Sequence, residues 1–367
     1  MLKILHTESS LGWGGQEIRI LSECQWFNSS IEDLECSILA ASCSQLLSRA
    51  SAYNVKISSA PIGRKSIFAV YYVHFFLNKE KPDVVVTHSS TDSWLVAMAT
   101  LFATKKPKII RMRHVSAVIR PNVATKWLYS RAEYVVTTSE AIKLHIEDAL
   151  GIASSRVISV PTGLDVREKF IPPERNVDNV LRRELRTPEN ALIVCMLSTL
   201  RSWKGHLIAL EALMNVQDVC LLIIGDGPQE QSLKRQVASL GLCDRVFFMG
   251  YQQNPENVLH DVDIFIQPSF ANEGLSQSLM QAMSVGLPVI ASDIGGLNEM
   301  IEHGVDGYLV PPKDPIALSN AINTLAQNVQ LRTELGRAAR DRAIKSFSID
   351  TMGQKMQAIL ESCISSS

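Results

Sequence analysis

Residues 191–206 read "ALIVCMLSTLRSWKGH", and this stretch indicates how the chain folds. The first seven residues form a short apolar run, which predicts a strand that is buried on both faces. A polar turn containing Gly205 follows, and the turn leads into a helical pattern. A strand, a glycine turn and a helix in this order are the repeating unit of a parallel α/β fold.

The same unit recurs along the whole chain. Strands are predicted at 2–6, 35–40, 83–87, 108–112, 134–137 and 157–160, and again at 191–197, 219–225, 245–250, 263–268, 288–292 and 307–312. The pattern therefore predicts an α/β protein with two Rossmann-like domains that face each other across a cleft. Ligands of such sheets bind beyond the carboxyl ends of the strands.

The predicted domain boundaries follow from the composition of the connecting stretch. Residues 1–165 form the predicted N-terminal domain, and residues 191–346 form the predicted C-terminal domain. Residues 166–190 are charged and contain prolines, so they are predicted to be a linker. A last helix at 347–367 is predicted to pack back on the first domain.

Composition limits the class of protein and its compartment. The chain has 367 residues, of which 46% are hydrophobic and 20% charged, as in globular proteins of two domains. Seven dispersed cysteines favour reduced thiols over a disulfide framework. The N-terminal stretch lacks the pattern of a signal peptide, and no apolar run approaches the roughly 20 residues of a membrane span. We therefore expect a cytoplasmic protein, either free or peripheral on the cytoplasmic face of a membrane.

Charge is distributed unevenly. Residues 1–165 carry 18 Lys and Arg against 14 Asp and Glu, whereas residues 166–367 carry 18 against 23. Residues 105–131 hold eight cations and no acid, which is typical either of a solvated basic face or of a surface for anionic acceptors or lipid headgroups. The amphipathic, aromatic segment 64–81 is compatible with an inner-leaflet membrane surface or with an ordinary core-packing helix. No nucleic-acid partner is predicted.

Three glycine turns are candidate phosphate sites. Gly14 and Gly15 follow the first strand, but their spacing does not fit G-x-G-x-x-G, which disfavours a dinucleotide enzyme. Arg201 and Lys204 follow the strand at 191–197, where two cations would suit a diphosphate, or would be ordinary surface residues. Asp226 lies in the third such turn, "GDGP".

No metal site is predicted. The sequence "DVD" at 261–263 has the form of a metal motif, but its position at a helix end and a strand start favours a structural role. His88 and His114 each follow a strand, so both are expected at the same sheet edge. One such histidine is more often a hydrogen-bonded structural residue than a catalyst. No serine or cysteine hydrolase pattern is present.

The second half contains, in order, "RSWKG", "GDGP", "DRVFFMGY", "DIFIQPS", "EGLSQSLMQAMSVGLPVIASDIGGLNEMI" and "GVDGYLVPPKDP". This series resembles the retaining glycosyltransferases of family 4, which have the GT-B fold. The "GGQE" after the first strand and the histidine of "RHVS" also have counterparts, so the resemblance extends over essentially the whole chain.

The resemblance implies that residues 191–346 are the nucleotide-sugar-binding domain and that residues 1–165 are the acceptor-binding domain. Arg201 and Lys204 would bind the diphosphate, Glu273 would bind hydroxyls of the donor sugar, and His114 would lie near the reacting centre; these four are the implied catalytic residues. The implied donor-binding residues are Gly14, Gly15, Asp226, Tyr251, Gln252, Gly274, Leu275, Ser276 and Gln281. In this set, the backbone N–H groups of Leu275 and Ser276 would meet the β-phosphate at a helix start.

Two positions depart from the pattern of the family. Gln281 replaces the second acid of E-x7-E, which binds the ribose. A neutral amide in place of a carboxylate would cost on the order of 1 kcal/mol, roughly tenfold in donor affinity. Thr199 stands where many members have the arginine of the diphosphate site, so Arg201 is assigned that role two residues later.

The predicted function is therefore retaining, metal-independent transfer of a hexose or related sugar to a glycan or lipid-linked acceptor, in the biosynthesis of cell-surface polysaccharide or lipopolysaccharide. The donor is the nucleotide sugar, and no cofactor is predicted. Two alternatives stay open: a nucleotide-sugar epimerase of the same fold, and a non-catalytic protein that binds nucleotide sugars. The base, the sugar, the acceptor and the linkage are not specified by the sequence.

Overall fold

The computed structural model describes residues 1–114, 119–173, 180–185, 187–188, 191–271 and 273–365. They form two compact units, Met1–Gly163 with Ile349–Ser367, and Leu164–Ser348. Each unit contains one parallel sheet with helices packed on it, as the alternation of apolar runs and helical patterns predicts.

Among the described residues, the sheet of the first unit has seven strands in the order β3-β2-β1-β4-β5-β6-β7. The strands are β1 (Leu2–Glu8), β2 (Leu34–Ala41), β3 (Lys56–Ala60), β4 (Val84–Thr87), β5 (Lys108–Arg113), β6 (Tyr134–Thr137) and β7 (Val157–Ser159). The helices are α1 (Gly15–Ser30), α2 (Gln45–Arg49), α3 (Ile67–Glu80), α4 (Ser90–Ala99), α5 (Val123–Ser130), α6 (Glu140–Leu150) and α14 (Ile349–Ser365).

Successive residues of a strand in this sheet enter different cores. Ile4 packs in the core that includes residues of α1 and α14, and the next residue, Leu5, packs in the core that includes residues of α3 and α4. This alternation follows from the two-residue repeat of side chains along a strand. Apolar side chains on both faces explain why the central strands read as continuous hydrophobic runs.

Helix α14 is joined to the first unit by a close contact with α1. A Cβ at Gly353 would lie 2.2 Å from the ring of Trp26, so only glycine allows the helices to approach this far. The indole Nε1 of Trp26 donates a hydrogen bond to Asp350 Oδ1 at 3.1 Å. The last helix, which the sequence predicts at 347–367, therefore packs on α1; residues 366–367 lie outside the described residues.

In the described part of the second unit, the sheet has six strands in the order β10-β9-β8-β11-β12-β13. The strands are β8 (Leu192–Leu197), β9 (Val219–Ile224), β10 (Val246–Gly250), β11 (Ile264–Gln267), β12 (Val289–Ser292) and β13 (Tyr308–Val310). The helices are α7 (Val180–Leu185), α8 (His206–Leu213), α9 (Glu230–Ser239), α10 (Pro255–Leu259), α11 (Gln277–Ser284), α12 (Pro315–Gln327) and α13 (Val329–Phe347).

The stretch 166–190, which the sequence predicts as a linker, contributes side chains to the second unit. Val166, Phe170 and Leu181 are buried in a core that also contains residues of β8, β11 and α11. Residues 174–179, 186 and 189–190 of this stretch lie outside the described residues. The described part is therefore packed against the second sheet.

All twelve predicted strands are present, with ends that differ by one or two residues. The sequence does not predict β3, whose residues KISSA are mostly polar and lie at the edge of the first sheet. Among the described residues, no helix is long and apolar enough to cross a membrane.

Candidate functional site

The carboxyl ends of four neighbouring strands form one edge of the second sheet. Because the sheet order is β10-β9-β8-β11, the turns after these strands lie side by side. These turns carry most of the predicted catalytic and donor-binding residues: Arg201, Lys204, Asp226, Tyr251, Gln252, Glu273, Gly274, Leu275 and Ser276. The fold therefore brings residues that are up to 75 positions apart to one edge.

Gly205 fixes the turn that carries Lys204. Its φ is +80°, and a Cβ there would lie 1.9 Å from the backbone oxygen of Pro268, the residue after β11. Only glycine adopts this conformation at this separation without strain. The turn after β8 is thereby held against the end of β11.

Lys204 and Glu273 form an ion pair at this edge. The Nζ of Lys204 lies 2.7 Å from Oε1 of Glu273, and the two side chains are 20% and 5% exposed. The amide of Gln267, at the end of β11, donates to Oε2 of Glu273 at 3.4 Å. The sequence assigns Lys204 to a phosphate and Glu273 to a sugar, and the structure adds that the two side chains touch.

The loop before α11 is held by polar contacts and by a second glycine. Ser276 caps the helix by accepting from the N–H of Leu279, and its hydroxyl donates to Gln267 Oε1 at 2.7 Å. The N–H of Ser276 lies 3.4 Å from the sulfur of Met300, which is a weak acceptor. A Cβ at Gly296 would lie 2.7 Å from the backbone nitrogen of Leu275, so glycine there leaves room for this loop.

Four other predicted residues lie farther out. Arg201 is exposed, with its guanidinium 5.3 Å from the centroid of the Trp203 ring. Asp226 is exposed, and Tyr251 is 64% exposed. Gln252 donates to the backbone oxygen of Met249 at 2.9 Å.

Gln281 is half-buried within α11, the helix that begins at Gln277. It lies eight residues after Glu273, in the helix that follows the loop with this acid. The ligand-binding roles assigned to Gln281 and to the other residues of this edge stay predictions.

In the first unit, Gly14 is the residue that precedes α1, and Gly15 begins it. Their neighbour Gln16 donates to Glu8, the last residue of β1, and the N–H of Ser10 donates to Oε1 of the same carboxyl at 2.7 Å. Burial raises the pKa of Glu8 to about 8, and the nearby Asp92 carboxylate adds to the effect. Sequence reasoning did not select Glu8, although an acid ending the buried strand LKILHTE is a visible signal.

Three histidines form a hydrogen-bonded chain at the carboxyl edge of the first sheet. His6 Nδ1 lies 2.8 Å from His88 Nε2, and His88 Nδ1 lies 2.9 Å from His114 Nε2. Burial lowers the pKa of His88 and of His114 well below the ordinary value, and neighbouring positive charges lower both further. Because β1, β4 and β5 are neighbours, the expectation that His88 and His114 share one edge is confirmed. His6 was not predicted.

One group of metal-ligating side chains comes together among the described residues: His6, Cys24 and Cys36, whose donor atoms lie within 4.8 Å of one another. The two sulfurs are 3.2 Å apart. A tetrahedral ion with metal–sulfur bonds of about 2.3 Å holds two sulfurs about 3.8 Å apart. The group therefore does not have the spacing of a zinc site and fits a direct hydrogen bond between the two sulfurs better.

Comparison with known families matches nearly the whole chain. Residues 177–342 match the family model described as "Glycosyl transferases group 1", and residues 13–168 match the model described as "Glycosyltransferase Family 4". The first match contains the edge with Lys204 and Glu273. The second match contains His88 and His114 of the histidine chain and begins after His6.

Individual relatives and solved structures are glycosyltransferases as well. The chain is 27% identical over 301 residues to the UDP-Gal:α-D-GlcNAc-diphosphoundecaprenol α-1,3-galactosyltransferase of Escherichia coli, covering 78% of this chain and 76% of the relative. A glycosyltransferase structure from Rickettsia africae has a TM-score of 0.89 at 22% identity and covers 100% of this chain and 99% of its own. The Anabaena protein HepE, solved with UDP-glucose, has a TM-score of 0.82 at 22% identity and covers 99% and 100%. These two structures establish a shared fold.

We expect Lys204 and Glu273 to be energetically coupled. Lys204→Met leaves a nearly buried carboxylate without its cation, so it should destabilise the protein more than the double variant with Glu273→Gln does. The coupling in unfolding free energy should be about 0.5–3 kcal/mol by urea denaturation.

The matched control is the exposed pair Lys234 and Glu230, which has the same 2.7 Å separation but side chains 46% and 34% exposed. Its coupling should be about 0.5 kcal/mol or less, since solvent screens it. Equal coupling energies in the two pairs would show that the Lys204–Glu273 contact is an ordinary surface ion pair.

Proposed function

The chain belongs to glycosyltransferase family 4, and we propose that it transfers a sugar from a nucleotide-diphosphate sugar to a glycan or lipid-linked acceptor with retention of configuration. The observation that carries the proposal is the contact of Lys204 with Glu273 at the carboxyl edge of the second sheet. This edge is where parallel α/β sheets bind nucleotides.

The Lys204–Glu273 contact suits the junction between diphosphate and sugar. An ammonium has three donors, so Lys204 can keep its bond to Glu273 and still donate to a phosphate oxygen. Glu273 then accepts from sugar hydroxyls with its remaining lone pairs. Arg201, which is exposed at the same turn, adds a second positive charge for the diphosphate.

The rest of the donor is bound by neighbouring turns. The turn with Asp226 and the segment with Tyr251 and Gln252 follow β9 and β10, and they take the nucleoside. Gln281 donates to a ribose hydroxyl from α11. A uridine nucleotide is the first candidate because the structurally similar Anabaena protein was solved with UDP-glucose.

The transfer needs positioning and charge stabilisation more than a protein nucleophile. The acceptor hydroxyl attacks from the face that the phosphate leaves, and the departing phosphate takes the proton of that hydroxyl. Lys204 and Arg201 stabilise the negative charge that develops on the phosphate. The family resemblance implies that His114 acts near the sugar carbon. The reaction uses neither a metal ion nor a cofactor.

The first unit takes the acceptor, and its surface supports a lipid-linked one. Helix α3 buries Ala69, Val73 and Leu77, each four residues from the next, and thus has one core-facing side. Its other side exposes large apolar residues: Ile67 (91%), Phe68 (67%), Tyr71 (67%) and Phe75 (62%). The plain alternative, an ordinary core-packing helix, does not explain an apolar outer side.

Cations lie beside this apolar side. Lys65 Nζ lies 5.4 Å from the Trp94 ring, and Trp94 stacks on Trp127 of α5 at 5.5 Å. Lys126, next to Trp127, is exposed. Aromatic and basic groups in this arrangement suit the headgroup region of an anionic leaflet, so the protein binds peripherally to a membrane where its acceptor resides.

Nucleotide-sugar epimerisation is the second candidate, because it requires the same donor site. The two reactions differ in their need for an acceptor, since epimerisation converts the nucleotide sugar alone.

The donor site is tested by thermal shift and turnover with UDP, GDP and ADP and their sugars. The nucleotide that binds the donor site should raise the melting temperature by mass action, and the other two should not. Lys204→Ala should lower transfer at least tenfold, since losing a charged hydrogen bond costs about 1.5–3 kcal/mol. Lys234→Ala, an exposed change on α9, is the control and should leave transfer unchanged. Transfer within about threefold of wild type in Lys204→Ala would refute the phosphate role.

Membrane binding is tested by co-sedimentation with phosphatidylglycerol vesicles at low salt. Wild-type protein should sediment with the vesicles, and the triple variant Ile67→Ser, Phe68→Ser, Phe75→Ser should stay in the supernatant. Leu144→Ser changes a residue of α6 that is 61% exposed and should leave binding intact. Equal sedimentation of wild type and triple variant would place the contact elsewhere, and no sedimentation of wild type would exclude a lipid surface.

A further inference from the structure

The three-histidine chain has one end near the surface and one end in the core. His114 is half-buried, His88 is 4% exposed and His6 is 0% exposed. The nitrogen-to-nitrogen distances of 2.8 and 2.9 Å are those of hydrogen bonds, and each such bond holds one proton, donated by one ring and accepted by the other. The tautomers of the three rings are therefore coupled.

The inner end of the chain faces an anionic group. His6 Nε2 lies 3.9 Å from Oε1 of Glu23, and Glu23 pairs through Oε2 with Arg19 Nε at 3.3 Å, all with side chains 0% exposed. Neither His6 Nε2 nor Glu23 Oε1 has a hydrogen-bond partner among the described residues. Two unpartnered buried polar atoms that face each other favour a proton on the histidine nitrogen, because the carboxylate attracts it.

The other groups around His6 come from every element that packs on it. They are Arg19, Glu23 and Cys24 of α1, Cys36 of β2 and His88 after β4. Burial alone would lower the pKa of His6, but Cys36 and Glu23 raise it above its ordinary value. The pKa of Cys36 is about 6, since the Cys24 thiol and His6 outweigh its burial. His6 thus has two acidic neighbours that stabilise its protonated form, and Arg19 opposes them.

We propose that His6, His88 and His114 form a proton relay in which the protonation of His6 sets whether Nδ1 of His114 donates or accepts a hydrogen bond. With His6 neutral and its proton on Nε2, its Nδ1 accepts from His88 Nε2–H. His88 Nδ1 then accepts from His114 Nε2–H, and Nδ1 of His114 is a bare acceptor.

One added proton reverses the donor and acceptor roles in both histidine–histidine hydrogen bonds. When Nδ1 of His114 takes a proton, His114 Nε2–H passes to His88 Nδ1, and His88 Nε2–H passes to His6 Nδ1. His6 then carries protons on both nitrogens beside Glu23, while His88 and His114 are again neutral. The balance is one proton gained, the charge lies on His6, and His114 Nδ1 has become a donor.

The consequence for transfer rests on the proposed function, which puts His114 near the sugar carbon. With His6 protonated, His114 offers a neutral N–H at that carbon while the positive charge stays in the core next to Glu23. A neutral donor avoids repulsion with the positive charge that develops on the sugar. His6, His88 and Glu23 are positioning residues in this scheme, since they act through His114.

The test is nitrogen NMR of protein labelled at its eight histidines, titrated from about pH 5.5 to 9. We expect His6 to lose a proton on going up in pH, and His88 and His114 to exchange their Nδ1–H and Nε2–H forms at the same midpoint while staying neutral. His206 is an internal control: it is buried in the second unit, hydrogen-bonded to Ser198, and burial lowers its pKa to about 4, so its signals should not change.

Glu23→Gln is the informative variant, because it keeps the shape of the side chain and removes its charge. The common midpoint of all three rings should fall by about one pH unit. His74 is hydrogen-bonded to Asn78 and does not belong to the three-histidine chain, so His74→Gln should leave the midpoint unchanged. Constant tautomers of His88 and His114, a charged form of either ring, or separate midpoints would each overturn the relay.

These measurements need no substrate, so they are independent of the proposed function. If transfer is present, kcat should fall as pH rises through the NMR midpoint, and Glu23→Gln should move that fall to lower pH. A coupled tautomer exchange in a protein without transfer would refute the function and keep the relay. If the tautomer exchange is present but kcat does not change with pH around the NMR midpoint, the role of the relay in catalysis would be overturned.

Discussion

The structure depends on one constraint: strands that are buried on both faces leave their ends as the main positions for polar side chains. In the first unit, the carboxyl edge of the sheet carries the chain of histidines, and in the second unit it carries the Lys204–Glu273 pair. Most of these polar groups are matched by another from a different strand or turn, whereas His6 Nε2 and Glu23 Oε1 face each other at 3.9 Å without a hydrogen bond among the described residues. A buried unpaired charge would cost several kcal/mol, so these contacts stabilise the fold at the two edges as well as placing the site residues there.

The two edges are built for different chemistry. The second sheet presents its cation and its acid in contact at a turn that Gly205 holds against the end of β11, which suits a diphosphate joined to a sugar. The first sheet presents the imidazoles of His88 and His114, whose pKa values burial lowers, and a buried ion pair between Arg19 and Glu23. In the proposed transfer, the second edge would supply charge stabilisation at the leaving phosphate.

Local patterns are sufficient to predict the strands and the glycine turns, because each of these depends on a short stretch of chain. Most residues of the second edge are assigned only through the family resemblance, and their ligand-binding roles stay predictions. Local patterns did not predict β3, since an edge strand needs no continuous apolar run. They also missed the inner part of the histidine network. His6, Glu23 and Cys36 lie on β1, α1 and β2, so no sequence spacing relates them, and only the packing of the three elements brings them together.

The most direct test of the central claim is the configuration of the product. Transfer from a nucleotide sugar with an α-linked diphosphate, followed by proton NMR of the purified product, reports the anomeric coupling of the new bond. Retention predicts an α-linked product that appears only when both donor and acceptor are present. A β-linked product would contradict the same-face mechanism, and conversion of the donor without acceptor would identify an epimerase instead.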